Sequence, residues 1–205
     1  MRTSIFALIL FQFFFIPETI SAQDADLIES AKKFQIELER EYANPEKSPL
    51  DEKDLEEFRG LEFFEIDPDY IVQAEFVRTP SESPFAMKTS TDRMKMYVKY
   101  GELYFSLKGK DLKLNVYQNQ DLVNDPEYFD YLFLPFTDLT NGDATYGGGR
   151  YIDFRIPESK EVTLDFNKAY NPYCAYSGNY SCPIPPKEND LPIEIIAGVK
   201  AFDKH

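Results

Sequence analysis

Two stretches of this 205-residue chain concentrate the side chains able to do chemistry, Phe136 to Tyr151 and Tyr170 to Asn189. In the first, four of the nine glycines fall between Gly142 and Gly149, and the run Gly147-Gly148-Gly149 leads into Arg150 and Tyr151. Glycine lets backbone approach a bound group closely. Arginine beside it offers a planar fork of five donors suited to a carboxylate or phosphate. The segment is not a known phosphate loop, because no Gly-Lys-Ser/Thr follows and Ile152 stands where a dinucleotide fold places its third glycine. Asp138, Asn141 and Asp143 do not reproduce the alternating ligands of a calcium loop. A purely structural reading stays open beside the functional one: a glycine-rich hairpin with Arg150 paired to a neighbouring acid such as Asp153.

The second stretch is made of turn formers and aromatics. Pro172, Pro183, Pro185 and Pro186 forbid regular structure, while Tyr170, Tyr173, Tyr176 and Tyr180 supply apolar bodies with polar tips. Cys174 and Cys182 are the chain's two cysteines. In an exported protein such a pair forms a disulfide, stabilising by roughly 2.5 kcal/mol through loop closure. A reactive thiol or a metal pair is the alternative, although two cysteines lack the further ligands that complete a zinc site. Catalysis must also run without imidazole, since the one histidine is His205. That excludes histidine triads and His-Glu-x-x-His zinc sites, leaving carboxylates, Tyr, Arg, Ser and Cys. No cofactor is implied.

The elements that would position these stretches can be read from periodicity. Arg2, an apolar run from Ile5 to Ile16, Pro17 and Ser21-Ala22 read as a signal peptide over residues 1–22, with cleavage after Ala22 and export to the periplasm or beyond. The run is too short to span a bilayer, which takes about 20 residues, so the mature chain is expected to have no membrane anchor. Residues 23–205 read as one domain, a helical flank over 23–60 and a β core over 61–205. Leu27, Ala31, Phe34, Leu38 and Tyr42 recur at helical spacing, with Glu29 and Lys33 as an i,i+4 pair. A second helix is expected to start at Ser48 as cap with Pro49 first and to stop at Gly60.

From residue 70 the period becomes two. Tyr70 to Phe76, Met94 to Tyr100, Leu103 to Leu107 and Leu112 to Val116 alternate, with Gly101-Glu102 and Lys108-Gly109-Lys110 as turns. Apolar runs at 131–136, 150–156, 162–166 and 193–199 extend the pattern. The fold expected is mainly β, an antiparallel meander forming a barrel or curled sandwich with two amino-terminal helices; an open α+β sheet is the alternative.

Charge narrows the partners. The chain carries −14, the wrong sign for a nucleic-acid backbone or an anionic membrane surface. Residues 24–67 hold 15 acids against 6 bases, so most of the excess belongs to the helical flank, read as a solvated face. One small anion at Arg150 is not excluded.

The segments Leu134-Pro-Phe-Thr-Asp-Leu-Thr-Asn-Gly, Thr145-Tyr-Gly-Gly-Gly-Arg-Tyr-Ile-Asp, Leu164-Asp-Phe-Asn-Lys-Ala-Tyr-Asn-Pro-Tyr-Cys-Ala-Tyr, Cys182-Pro-Ile-Pro-Pro-Lys-Glu-Asn and Ile196-Ala-Gly-Val-Lys resemble a prokaryotic family catalogued as domain of unknown function 1684. Ser48-Pro-Leu and Phe58-Arg-Gly-Leu-Glu-Phe-Phe are similar to its amino-terminal part, and the likeness runs over about residues 28–200. It implies that Thr145, Tyr146, Arg150, Tyr151, Asn171, Cys174, Tyr176, Cys182, Glu188 and Asn189 matter, without implying an activity. Relatives that look cytosolic share the two cysteines, so the resemblance leaves the pairing of Cys174 with Cys182 open.

Two functional readings follow. In a binding module, Arg150 anchors a small polar or anionic ligand, Tyr146, Tyr151 and Tyr176 wall the pocket, and Thr145, Asn171 and Asn189 give directional hydrogen bonds. In an enzyme, a hydrolase or transferase, Glu188 or Asp143 would act as acid or base beside Arg150, with Cys174 or a tyrosine as nucleophile. The binding reading is preferred, because no second carboxylate stands at a diagnostic spacing. The third reading is a polar cluster that merely ties the two stretches together.

Overall fold

The structure is a computed structural model and describes residues 22–202. The expected signal peptide therefore lies outside the described residues, Ala22 excepted. No described helix is long and apolar enough to cross a membrane.

Helix α1 spans Ala22–Tyr42, and its apolar stripe faces the protein, with Ala31 and Tyr42 fully buried. Its i,i+4 pair is Lys33 with Glu37 at 3.8 Å rather than Glu29 with Lys33. Helix α2 is shorter than expected, Glu52–Glu57 with Asp51 at the cap position. Ser48 does not cap it because its hydroxyl closes a tight turn, accepting from the Leu50 amide at 3.2 Å. The Asp51 carboxylate is engaged elsewhere, by the Ser177 hydroxyl at 2.6 Å. Leu55 and Phe58 pack against Tyr42, as the pattern anticipates.

Seven strands follow: β1 Ile71–Arg78, β2 Phe85–Lys88, β3 Met94–Leu107, β4 Lys110–Asn119, β5 Tyr131–Phe136, β6 Arg150–Arg155 and β7 Glu161–Asp165. All pairings are antiparallel. The order is β6-β5-β4-β3-β1-β7, with β2 also on β3. The sheet is mainly antiparallel β, curled into a half-barrel, with one main helix and a short second one. One side of it closes over an apolar core of Leu103, Leu114, Leu132, Leu134, Leu164 and Phe166.

Gly101-Glu102 is not a turn. β3 runs through it as a 14-residue strand, serving β2 with residues 94–97 and β1 with residues 101–104. The register against β4 slips between Lys99 and Gly101, so Tyr100 is an extra residue and the strand bends. Glycine is required there by a neighbour: a Cβ would sit 2.5 Å from the Phe76 ring. Immediately beyond the bulge, Glu102 accepts from the Tyr104 hydroxyl at 2.6 Å and from the Lys99 and Lys113 ammonium groups at 3.3 and 3.0 Å.

The run at 193–199 is not a strand either, although its period of two is real. Ile193, Ile195, Ala197 and Val199 are buried inside the curl. The Ile193 carbonyl accepts from the Leu139 amide at 3.0 Å, and no strand receives the other three. Instead Arg150, fully buried at the start of β6, donates from Nη2 to the Ile195 carbonyl at 2.8 Å and from Nη1 to the carbonyls of Ala197 and Val199. Its charge is met by Asp138 Oδ2 at 2.8 Å, and both side chains have 0% exposure. Asp138 Oδ1 in turn accepts from the Thr140 amide and hydroxyl and from the Ile195 amide, at 2.9, 2.6 and 3.1 Å. One guanidinium thus does for this extended segment what a strand edge would do.

Two outcomes test this framework. Arg150→Met or Asp138→Leu alone leaves a charge buried and unpaired, and each is expected to cost about 3–5 kcal/mol in urea unfolding. Together they should cost less than their sum, because the second change removes the stranded charge. At Glu102, the Tyr104 hydrogen bond foremost, with the two lysines, holds the carboxyl down at about 2 against a usual 4.5. Its contribution is therefore complete above about pH 4.5 and lost as the pH falls towards 2. With partly exposed lysine partners, Glu102→Gln should cost about 1 kcal/mol at neutral pH and flatten the acid limb of stability against pH.

Candidate functional site

The face of the sheet turned away from that core is aromatic. β5 shows how: Leu132 and Leu134 enter the core, and the alternate residues Tyr131 and Phe133 stand on the opposite face. β6 repeats the pattern, with Ile152 inward and Tyr151 and Asp153 outward. Tyr97 of β3 and Tyr117 of β4 complete the layer. Helix α1 and the segment 170–183 stand beside it, leaving a cleft of about 590 Å³, a volume suited to a small molecule.

The rings form a corner. Tyr151 meets Phe133 at 4.6 Å and 76° and Tyr170 at 5.9 Å and 89°. Tyr97 lies against Phe133 at 5.7 Å, and Phe34 of α1 against Tyr170 at 6.4 Å. The backbone sets this corner, because the Tyr151 and Tyr170 amides exchange hydrogen bonds of 2.9 Å with each other's carbonyls, fixing the segment after β7 to the edge of β6.

The hydroxyls converge on acceptors. Tyr131 and Tyr170 both donate to Asp153 Oδ1, at 2.7 and 2.6 Å. Tyr151 donates to the Pro183 carbonyl, and Tyr173 reaches Glu41 Oε1 at 3.4 Å. Burial, and then the Asp153 charge, pushes the phenols of Tyr131 and Tyr170 far above their ordinary value. Burial also raises Tyr151, and lifts Tyr97 and Tyr173 to about 12. These phenols stay protonated at any working pH, as donors rather than nucleophiles. The charged lining consists of Glu37, Glu41, Asp153 and Lys95.

The second wall is stapled. Cys174 and Cys182 form a disulfide, and Cys182 also lines the cleft. The Ser90 amide donates to the Cys182 carbonyl at 2.8 Å and the Ile184 amide to the Lys88 carbonyl at 2.9 Å, holding this loop on the end of β2.

The residues expected from the sequence are distributed differently. Of the seven ligand-binding candidates, Tyr151 lines the cleft. Arg150 does not reach it: all its Nη bonds go to Asp138 and the carboxy-terminal carbonyls, and its partner is Asp138 rather than Asp153. Thr145 is bonded to Thr140 and Asn141, at 2.8 and 3.0 Å. Tyr146 packs among Tyr42, Tyr176 and their neighbours. Asn171 donates to the Lys200 carbonyl at 2.8 Å and to the Tyr176 hydroxyl at 3.4 Å. Asn189 clamps β4 to β5, accepting from the Asn115 amide at 2.8 Å and donating to the carbonyls of Asn115 and Pro135 at 2.9 and 2.6 Å. The close approach allowed by Gly149, at φ +88°, is to the protein itself, since a Cβ would lie 2.6 Å from the Phe136 carbonyl and 2.8 Å from Pro185.

The catalytic candidates are not gathered together. Glu188 and Asp143 are exposed, Arg150 is enclosed, and Cys174 is bound in the disulfide. Among the described residues, no group of three or more His, Cys, Asp or Glu could hold a metal ion. Tyr97, Tyr131, Phe133 and Asp153 were missed as lining residues. Their signal was present in β5, where Tyr131 and Phe133 alternate with leucines in a run that reads as uniformly apolar.

A protein described as uncharacterized, from Haloarcula marismortui and solved in solution by NMR, matches this fold with a TM-score of 0.70 and 33% identity, over 89% of this chain and 98% of its own. A search of curated proteins gives no match. The family described as Protein of unknown function (DUF1684) matches residues 56–200, a span that takes in every strand and the whole of the buried Arg150 network. The chain belongs to that family.

Proposed function

We propose that this protein is an exported binding module that takes a small polar ligand into the tyrosine-walled cleft beside α1. The observation that carries the reading is the corner of Phe133, Tyr151 and Tyr170 opening beside Asp153, whose Oδ1 is held by two phenols. Such a site is preorganised. Its rings are fixed by backbone pairing and its carboxylate by two hydrogen bonds, so little side-chain entropy remains to be lost on binding. The cleft moves the pocket away from Arg150 while keeping the 170–183 part of the segment first singled out. Binding is favoured over catalysis because the phenols are held protonated, the cysteines are joined, and the carboxylates Glu188 and Asp143 stand in solvent.

Native mass spectrometry of the unreduced protein, purified from the exported fraction of its host, tests both parts. The expected spectrum shows a chain starting at Gln23 with a small-molecule adduct. Asp153→Ala should weaken the retained ligand by about tenfold or more, the loss of a hydrogen bond to a charged group. An adduct-free spectrum, together with no thermal shift from any fraction of a small-molecule extract, would remove the binding reading; a mass beginning at Met1 would remove export.

A further inference from the structure

We infer that the ligand of this cleft is an alkylated organic ammonium cation. The inference rests on the binding reading above and narrows it by asking what the lining can offer. The first argument is an account of donors. The hydroxyl hydrogens of Tyr131 and Tyr170 go to Asp153, that of Tyr151 to the Pro183 carbonyl, and that of Tyr173 to Glu41. Four of the seven tyrosines that line the cleft are therefore engaged as donors within the protein; Tyr42, Tyr97 and Tyr180 line it as well, and the Tyr42 hydroxyl is without a partner among the described residues. What the four still present is lone pairs and ring faces. Asp153 Oδ2 likewise takes no hydrogen bond from the described residues and is a free acceptor, since both phenols bind Oδ1. A carboxylate or phosphate needs donors from its site; a cation needs none.

The second argument is charge. The lining carries Glu37, Glu41 and Asp153 against Lys95, within a chain of net −14. Arg150, the group best suited to an anion, is enclosed with Asp138. The third is ring geometry. Tyr151 stands near perpendicular to both Phe133 and Tyr170, so the three rings turn faces and edges around a corner. Ring faces attract cations through their quadrupole, most strongly where water is displaced. Alkylation matters because a methylated ammonium is weakly hydrated, and its methyl groups bury against the rings while the charge lies near the carboxylate.

Isothermal titration calorimetry with choline, tetramethylammonium and 3,3-dimethyl-1-butanol, the neutral isostere of choline, tests the inference on the full exported chain. Choline and tetramethylammonium are expected to bind, choline at least tenfold more tightly than the isostere. Added salt, Asp153→Asn and Glu41→Gln should each weaken the cations and leave the isostere unchanged. The two variants stand on different elements, β6 and α1, and each is checked for an unchanged circular dichroism spectrum, so one that misfolds does not decide the matter. Equal binding of choline and its isostere overturns the inference. Binding of glucose or acetate in place of the cations also overturns it while leaving a binding module in place. If no probe binds but an extract-derived adduct is retained, the ligand is of another class and the cation assignment fails alone.

Discussion

The buried pair of Arg150 and Asp138 is the interaction on which the remaining structure depends. An extended segment inside a half-barrel presents backbone carbonyls to a dry interior, where an unsatisfied acceptor costs about 1–3 kcal/mol. The segment 193–199 meets this problem without a partner strand. Ile195 and Ala197, alternate residues of the extended stretch, point their carbonyls the same way, Gly198 at φ +76° turns the chain, and the fork of one guanidinium reaches the carbonyls of Ile195, Ala197 and Val199. Burying that charge is tolerable because Asp138 neutralises it and is itself fully engaged by Thr140 and Ile195. Lysine could not replace it, having three donors around a point rather than a planar fork.

From this constraint the second face of the sheet follows. With the core side of the curl filled by the carboxy-terminal segment, β5 and β6 must bury their other face against α1 and the 170–183 segment. A period of two then places Tyr131, Phe133, Tyr151 and Asp153 together. The polar residues that looked like ligand donors, Thr145, Asn171 and Asn189, fasten these coverings: Asn189 joins β4 and β5, and Asn171 holds the chain at Lys200. Fastening the walls and lining the cleft thus fall to different residues. The rigid polar clamps hold the walls, and the aromatic layer lines the space between them.

The sequence carried what depends on local pattern. The stripe of α1, the Lys108-Gly109 hairpin and the alternation of β4 are each set by neighbours a few residues away, and the structure has them. It hid what depends on distant contacts. Gly101 has the local signature of a hairpin turn, but the ring of Phe76 across the sheet requires glycine there in a continuous strand. The run 193–199 alternates as a strand does, but Gly198 at φ +76° turns it, its pairing is a single bridge from Val199 to Phe63, and Arg150 serves the carbonyls left over. Arg150 next to three glycines reads as an anion site because residue type reports capacity and not burial. Asp153, three residues away, is an example of the neighbouring acid that a structural reading gives Arg150; yet alternation along β6 turns the two side chains to opposite faces, and the acid that meets Arg150 lies 12 residues upstream.

Net charge changes meaning once it is placed on the fold. Much of the acid excess sits on the amino-terminal helices, and the simplest account is a solvated face. Yet Glu37 and Glu41, one turn apart on α1, line the cleft with Asp153, so part of that excess borders a concave aromatic surface. The field of these carboxylates favours keeping the phenols neutral, since an ionised tyrosine beside them would add a like charge to a poorly solvated space. Burial first, and after it the Asp153 and Glu41 charges, raise the tyrosines they face, Tyr131, Tyr170 and Tyr173. The same arrangement that withholds a nucleophile therefore supplies an acceptor-rich, electron-rich wall. A site of this kind has little to offer bond-making chemistry and much to offer a ligand that brings its own positive charge.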